Sequence, residues 1–162
     1  MTRHDAAVTV DALFDAWERA WSGRDPARFE PLCAGEFAYE DPLTPEPLHG
    51  AAALAAHARA LWDAFPDARV NATGERLTDG RFACAPCKLL GTHEGRIGNI
   101  APTGRFVVVH AIVYAELLED RLLRARAFFD AWGAATSLGV LPKTGTAGER
   151  ALLLLRGFGL RA

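Results

Sequence analysis

Between Arg105 and Leu118 the residues alternate in kind. The odd positions Val107, Val109, Ala111, Val113 and Ala115 are small and apolar, whereas the even ones include Phe106, His110, Tyr114 and Glu116. Successive side chains on a strand point to opposite faces, so a period of two dictates a β-strand with one smooth face and one rougher face. The next stretch repeats the pattern, with Leu123, Ala125, Ala127 and Phe129 on the smooth side and Arg124 and Arg126 opposite. Both faces cannot be core. A smooth face of this kind suits the inner wall of a tightly curved sheet.

Around this pair the other elements fall into order. Strands are expected near Arg69 to Leu77, Arg81 to His93, Arg105 to Leu118 and Arg121 to Ala131, with Thr78-Asp79-Gly80 and Glu119-Asp120 as tight turns. Ahead of them, Thr9 is placed to cap a helix running to about Ser22, with Leu13, Trp17, Ala20 and Trp21 along one face. Asp25-Pro26 opens a short helix carrying Phe29 and Leu32, and a brief strand from Phe37 to Asp41 stops at Pro42. Pro42, Pro45 and Pro47 make a loop. The alanine-rich run from Ala51 to Phe65 has high helix propensity and ends before Pro66. Helices followed by an antiparallel meander signal an α+β domain. That domain is expected over residues 1–142. Residues 143–162 then form a linker and a short helix, with Gly157 and Gly159 as breakers. Its Leu152 to Leu155 would pack on the domain or on a second subunit.

Composition narrows the function. The 162 residues carry 18 basic and 20 acidic side chains without a basic stripe, which argues against nucleic acid or an acidic membrane as partner. No apolar run approaches the roughly 20 residues that span a bilayer, and the first residues lack a signal-peptide core, so a cytoplasmic location is expected. Cys84 and Cys87 have CxxC spacing, but no second Cys/His pair at metal spacing accompanies them, and they are expected to be small hydrophobes in a buried strand.

The series Trp17, Trp21, Phe37-Ala-Tyr39-Glu-Asp41-Pro42, Gly50, Phe65-Pro66-Asp67, Gly91-Thr-His93-Glu-Gly95, Pro102-Thr-Gly104-Arg105, Asp130 and Leu138-Gly139-Val-Leu-Pro142 resembles the SnoaL-like polyketide cyclases. These belong to the superfamily that includes nuclear transport factor 2 and ketosteroid isomerase. The resemblance covers about residues 8–142. It implies a cone: a strongly bent antiparallel sheet around a pocket, closed by the N-terminal helices. It also implies aldol ring closure on a polyketide without metal or cofactor, with Asp130 standing where the cyclases have their acid/base aspartate. Asp41 resembles the general base of the ketosteroid isomerases, which also follows a short strand and precedes a proline. Trp17 and Val113 stand where those isomerases have a tyrosine and a carboxylic acid, and Val113 is often histidine in the cyclases.

Physical chemistry gives Asp130 a role of its own. Proton removal beside a carbonyl needs a positioned base whose pKa is raised towards neutrality, as burial beside Phe128, Phe129 and Trp132 would do for Asp130. Asp130 on this ground, and Asp41 as the isomerase resemblance implies, are the catalytic candidates. An apolar pocket lined by Trp17, Tyr39, His57, Trp62, His93, Val113 and Phe129 would hold a flat hydrophobic substrate. His57 could polarise a substrate oxygen or be a satisfied boundary histidine, and His93 either reaches the pocket mouth or is solvated at a hairpin end. The expected function is a cofactor-independent cyclase or isomerase acting on a hydrophobic carbonyl compound. The alternatives are a non-catalytic module for small hydrophobic ligands or assembly, and a limonene-type epoxide hydrolase, which would need Arg126 paired with an aspartate. Phe106, Val108, Ile112 and Tyr114 on the rougher face point to a homodimer formed there.

Overall fold

Helices come first in the computed structural model, which describes residues 3–143 and 145–159. Helix α1 (Arg3–Gly23) begins well before Thr9, so that residue lies inside the helix and is not its cap. A 3-10 helix (Pro26–Leu32) follows as expected, with Asp25 as N-cap accepting from the Ala27 N–H. Then come β1 (Cys33–Glu40), β2 (Leu48–His49) and α2 (Gly50–Ala64). Strand β1 starts earlier than its aromatic residues suggested, because Cys33 already pairs with Leu122.

Four strands were expected in the second half and five are present: β3 (Arg69–Ala72), β4 (Leu77–Thr78), β5 (Phe82–Thr92), β6 (Phe106–Leu118) and β7 (Arg121–Phe129). The expected strand from Arg69 to Leu77 is broken. Within the break, Arg76 reaches back to α1 and binds Asp15 at 2.7 Å and Glu18 at 2.8 Å, while its guanidinium lies over the Phe14 ring. The turn between β6 and β7 is the expected one, with Glu119 and Asp120 both at positive φ, the signature of a type I′ hairpin.

The strands form one seven-stranded sheet in the order β2-β1-β7-β6-β5-β3, with β4 also on β5. Strands β5, β6 and β7 make the antiparallel meander, but β1 joins β7 in parallel, with Tyr39 opposite Ala125 and Glu40 opposite Arg126. The sheet is open, as a curved cone requires. Its smooth face holds the core: Ala83, Ala85, Val107, Val113, Ala115 and Ala125 are buried against Phe14, Trp17, Trp21, Phe29, Leu54 and Trp62 of the helices. Each fully buried large side chain contributes on the order of 1.5–3 kcal/mol.

Two details of β7 differ from the plain alternation. A register shift between Glu116 and Leu117 turns Leu122 fully inward and leaves Leu123 half-buried, as a β-bulge does. The strand also stops at Phe129, short of Ala131. Asp130 caps a helix α3 (Ala131–Leu138), which ends on Gly139 in the left-handed conformation that glycine adopts without strain. Helix α4 (Ala147–Gly159) runs through Gly157, so that glycine does not break it, and Gly159 is its last described residue. Leu153 and Leu154 are exposed on it, and the side chain of Leu155 lies outside the described residues.

Candidate functional site

Tyr39 and Asp41 are two residues apart, so the end of β1 directs both to the inner face. Asp41 then starts the Pro42 turn: its backbone N–H donates to Thr44 Oγ1 at 3.0 Å, and its carboxylate Oδ1 accepts from the Leu43 N–H at 2.7 Å. The turn occupies only one carboxylate oxygen. The other, Oδ2, accepts from Tyr39 Oη–H at 3.0 Å and meets His57 Nε2 at 2.8 Å. His57 arrives from α2. Its ring lies edge-on to Trp21 and tilted against Tyr39.

The electrostatics of this cluster run opposite to a carboxyl acid poised near neutrality. Burial alone would push the Asp41 carboxyl up, but the His57 hydrogen bond and charge, the Leu43 N–H and the Tyr39 hydroxyl outweigh it and hold the group below the ordinary carboxylate value. Asp41 is thus an anion. Tyr39 is pushed well above the ordinary phenol value, first by burial and then by the neighbouring Asp41 charge, so its hydroxyl keeps its proton and acts as donor. An anionic carboxylate can only accept, which assigns the proton of the shared bond to His57 Nε2. The Asp41 side chain is 5% exposed and that of His57 22%.

One residue beyond the Glu40 and Arg126 pair, Asp41 stands level with Ala127, and on the same inner face the wall is only half-buried at Ala127, Phe129, Ala111 and Val109. This strip of mostly small apolar residues is a half-buried part of the smooth face, packed at the margin of the core. Phe129 lies on it, and Val113 is buried at its base. Trp17 and Trp62, expected as lining, are core residues. Trp17 packs on Tyr39 and Phe29, and Trp62 Nε1–H donates to the Trp21 carbonyl at 2.7 Å.

His93 is not solvated. It is fully buried against Phe65, near the far end of the β5–β6 hairpin and away from Asp41. Its Nδ1 accepts from the Thr103 N–H at 3.2 Å, which ties the hairpin loop to the ring. Asp130 is exposed, and its carboxylate accepts from the Gly133 N–H at 2.9 Å as the cap of α3. It borders a shallow depression of about 510 Å³ whose lining includes His110, Ile112 and Phe128 and also Ala111 and Phe129 of the inner strip. Its carboxylate and that of Asp41 share no hydrogen-bond partner among the described residues. Arg126 binds Glu40 at 3.1 Å, not an aspartate, so the arrangement an epoxide hydrolase of the limonene type would need does not form around it.

Cys84 and Cys87 fall on opposite faces of β5, the first half-exposed and the second buried, so their thiols do not face each other. Burial pushes the Cys87 thiol up to about 11 and the Cys33 thiol to about 12. Among the described residues, no group of three or more His, Cys, Asp or Glu is arranged to hold a metal ion, and no helix is long and apolar enough to cross a membrane.

No curated protein sequence matches the chain. Among solved structures it is similar to a candidate SnoaL-like polyketide cyclase from Jannaschia sp. CCS1, with 16% identity and a TM-score of 0.76 over 88% of this chain and 99% of that one. TsrD from Streptomyces laurentii is similar at 21% identity and a TM-score of 0.74, covering 87% and 99% of the two chains. AclR from Streptomyces galilaeus, a candidate hydroxylase, is similar at 16% identity and a TM-score of 0.74, covering 93% and 94%. These likenesses establish the shared fold. The family model for the SnoaL-like polyketide cyclases matches residues 11–138, and the chain belongs to that family.

Proposed function

We propose that the protein is a cofactor-independent cyclase or isomerase that moves a proton beside a carbonyl group in a hydrophobic, polyketide-like compound. The observation that carries this reading is the Asp41 cluster, a buried carboxylate bound to a histidine and a tyrosine, on the same face as a half-buried apolar strip. Family membership supports a role of the cyclase or isomerase type. The strip of Ala127, Ala111 and Val109 offers area without bulk, and Phe129 adds an aromatic edge, which suits a flat ligand held by shape. Holding one folded conformation supplies much of a ring-closing rate enhancement. The acid/base group supplies about another 10²–10⁴-fold.

The exposed Phe106, Val108, Ile112, Tyr114 and Phe128 on the outer face support a homodimer formed there. The three cysteines, all free and none paired, fit a reducing cytoplasmic setting. The test uses 1-tetralone, a flat aryl ketone with exchangeable protons beside its carbonyl. Wild-type protein in D2O is expected to speed deuterium entry at that carbon, read by NMR, and Asp41→Asn to lose the effect. Exchange no faster than in buffer would overturn the reading.

A further inference from the structure

We infer that His57 is the group that carries the proton and that Asp41, although the only buried carboxylate of the site, is a positioning residue. This rests on the proposed carbonyl chemistry and assigns its base. A base must present a lone pair to the substrate. The Asp41 carboxylate has Oδ2 engaged by two donors and Oδ1 by a third, and its side chain is almost wholly enclosed. Each of those donors also stabilises the anion, and so weakens it as a base.

His57 has the complementary properties. The bond to Asp41 puts its proton on Nε2, which leaves the Nδ1 lone pair as the basic site, and Nδ1 has no hydrogen-bond partner among the described residues. The ring is the more accessible member of the pair. Tyr39 completes the support by donating to the same carboxylate oxygen, so the carboxylate that orients the imidazole is itself fixed. Trp21 and Tyr39 bound the ring on the helix and strand sides.

In the forward step Nδ1 takes the proton beside the carbonyl. The C–H electron pair becomes the enolate, and the imidazolium is balanced by the Asp41 anion next to it. When the enolate carbon attacks a second carbonyl of the same molecule, the new alkoxide takes the proton back from Nδ1. No proton, electron or co-reactant is left over.

The experiment combines a spectrum with the tetralone exchange. In long-range 1H–15N spectra of labelled protein, the His57 signal is identified among the five histidines by its loss in His57→Gln. In its neutral form the ring is expected to carry the proton on Nε2, and Asp41→Ala is expected to mix the two tautomers. His57→Gln is expected to lower exchange by about 10²-fold or more while leaving 1-tetralone affinity within about twofold. A neutral ring protonated on Nδ1, or exchange surviving in His57→Gln but lost in Asp41→Asn, overturns the inference and leaves the carbonyl reading standing. Absence of exchange in the wild type overturns both.

Discussion

Asp41 and Asp130 occupy matching places, each just past the end of a strand and each accepting a backbone N–H from the residues that follow. There the likeness ends. Asp41 is covered by α2 and receives a tyrosine and a histidine that the chain brings from elsewhere, whereas Asp130 is exposed and its carboxylate serves the first turn of its own helix. A carboxylate that meets only its sequence neighbours is a cap. One that also gathers side chains from another element becomes a site. The difference lies in what folds over each strand end.

Replacing each aspartate in turn is the strongest way to break this comparison. Asp41→Ala is expected to cut tetralone exchange by about 10²–10⁴-fold, and Asp130→Ala to leave it within about threefold. The reverse pattern would assign the chemistry to Asp130 and undo the contrast. Next in size is Tyr39→Phe, which removes one donor from a buried anion. Urea unfolding is expected to show a loss of about 2 kcal/mol, and no loss would mean that the phenol bond adds nothing to the support of Asp41.

Acid sharpens the comparison further. The folded pKa of Asp41 lies below its ordinary 3.8, so its contribution to stability is complete above that value and disappears as pH falls through the depressed folded one. Melting temperatures followed downward from pH 5 should therefore fall less steeply for Asp41→Asn than for the wild type. The smallest effect belongs to the cap. Asp130→Ala is expected to cost about 1 kcal/mol and Asp130→Asn only a few tenths, both by chemical denaturation.

Much of the fold was legible because strand alternation is a local signal. The smooth residues of β6 identified the inner wall, and the two turn pairs identified the hairpins. The bulge that turns Leu122 inward was not legible, since it depends on how β6 and β7 align. Helix α3 was missed because Phe128 and Phe129 read as a strand continuing to Ala131, while the capping bond from Gly133 to Asp130 is evident only in three dimensions. Tyr39, Asp41 and His57 were each singled out in the sequence. Their convergence on one carboxylate oxygen was hidden, because it requires α2 to cross the end of β1. His93 misled for a related reason: its position beside a hairpin loop suggested solvent, but Phe65 and Thr103 close over it.

The parallel pairing of β1 with β7 has a consequence for the order in which the chain can assemble its candidate site. The strand bearing Tyr39 and leading into Asp41 is synthesised early, yet its neighbour in the sheet is the last strand of the meander. Contacts so distant in sequence are slow to form. A chain emerging from the ribosome must therefore release residues past Phe129 before the Asp41 cluster has a fixed wall beside it, and the cluster should be completed late in biogenesis, together with the whole sheet.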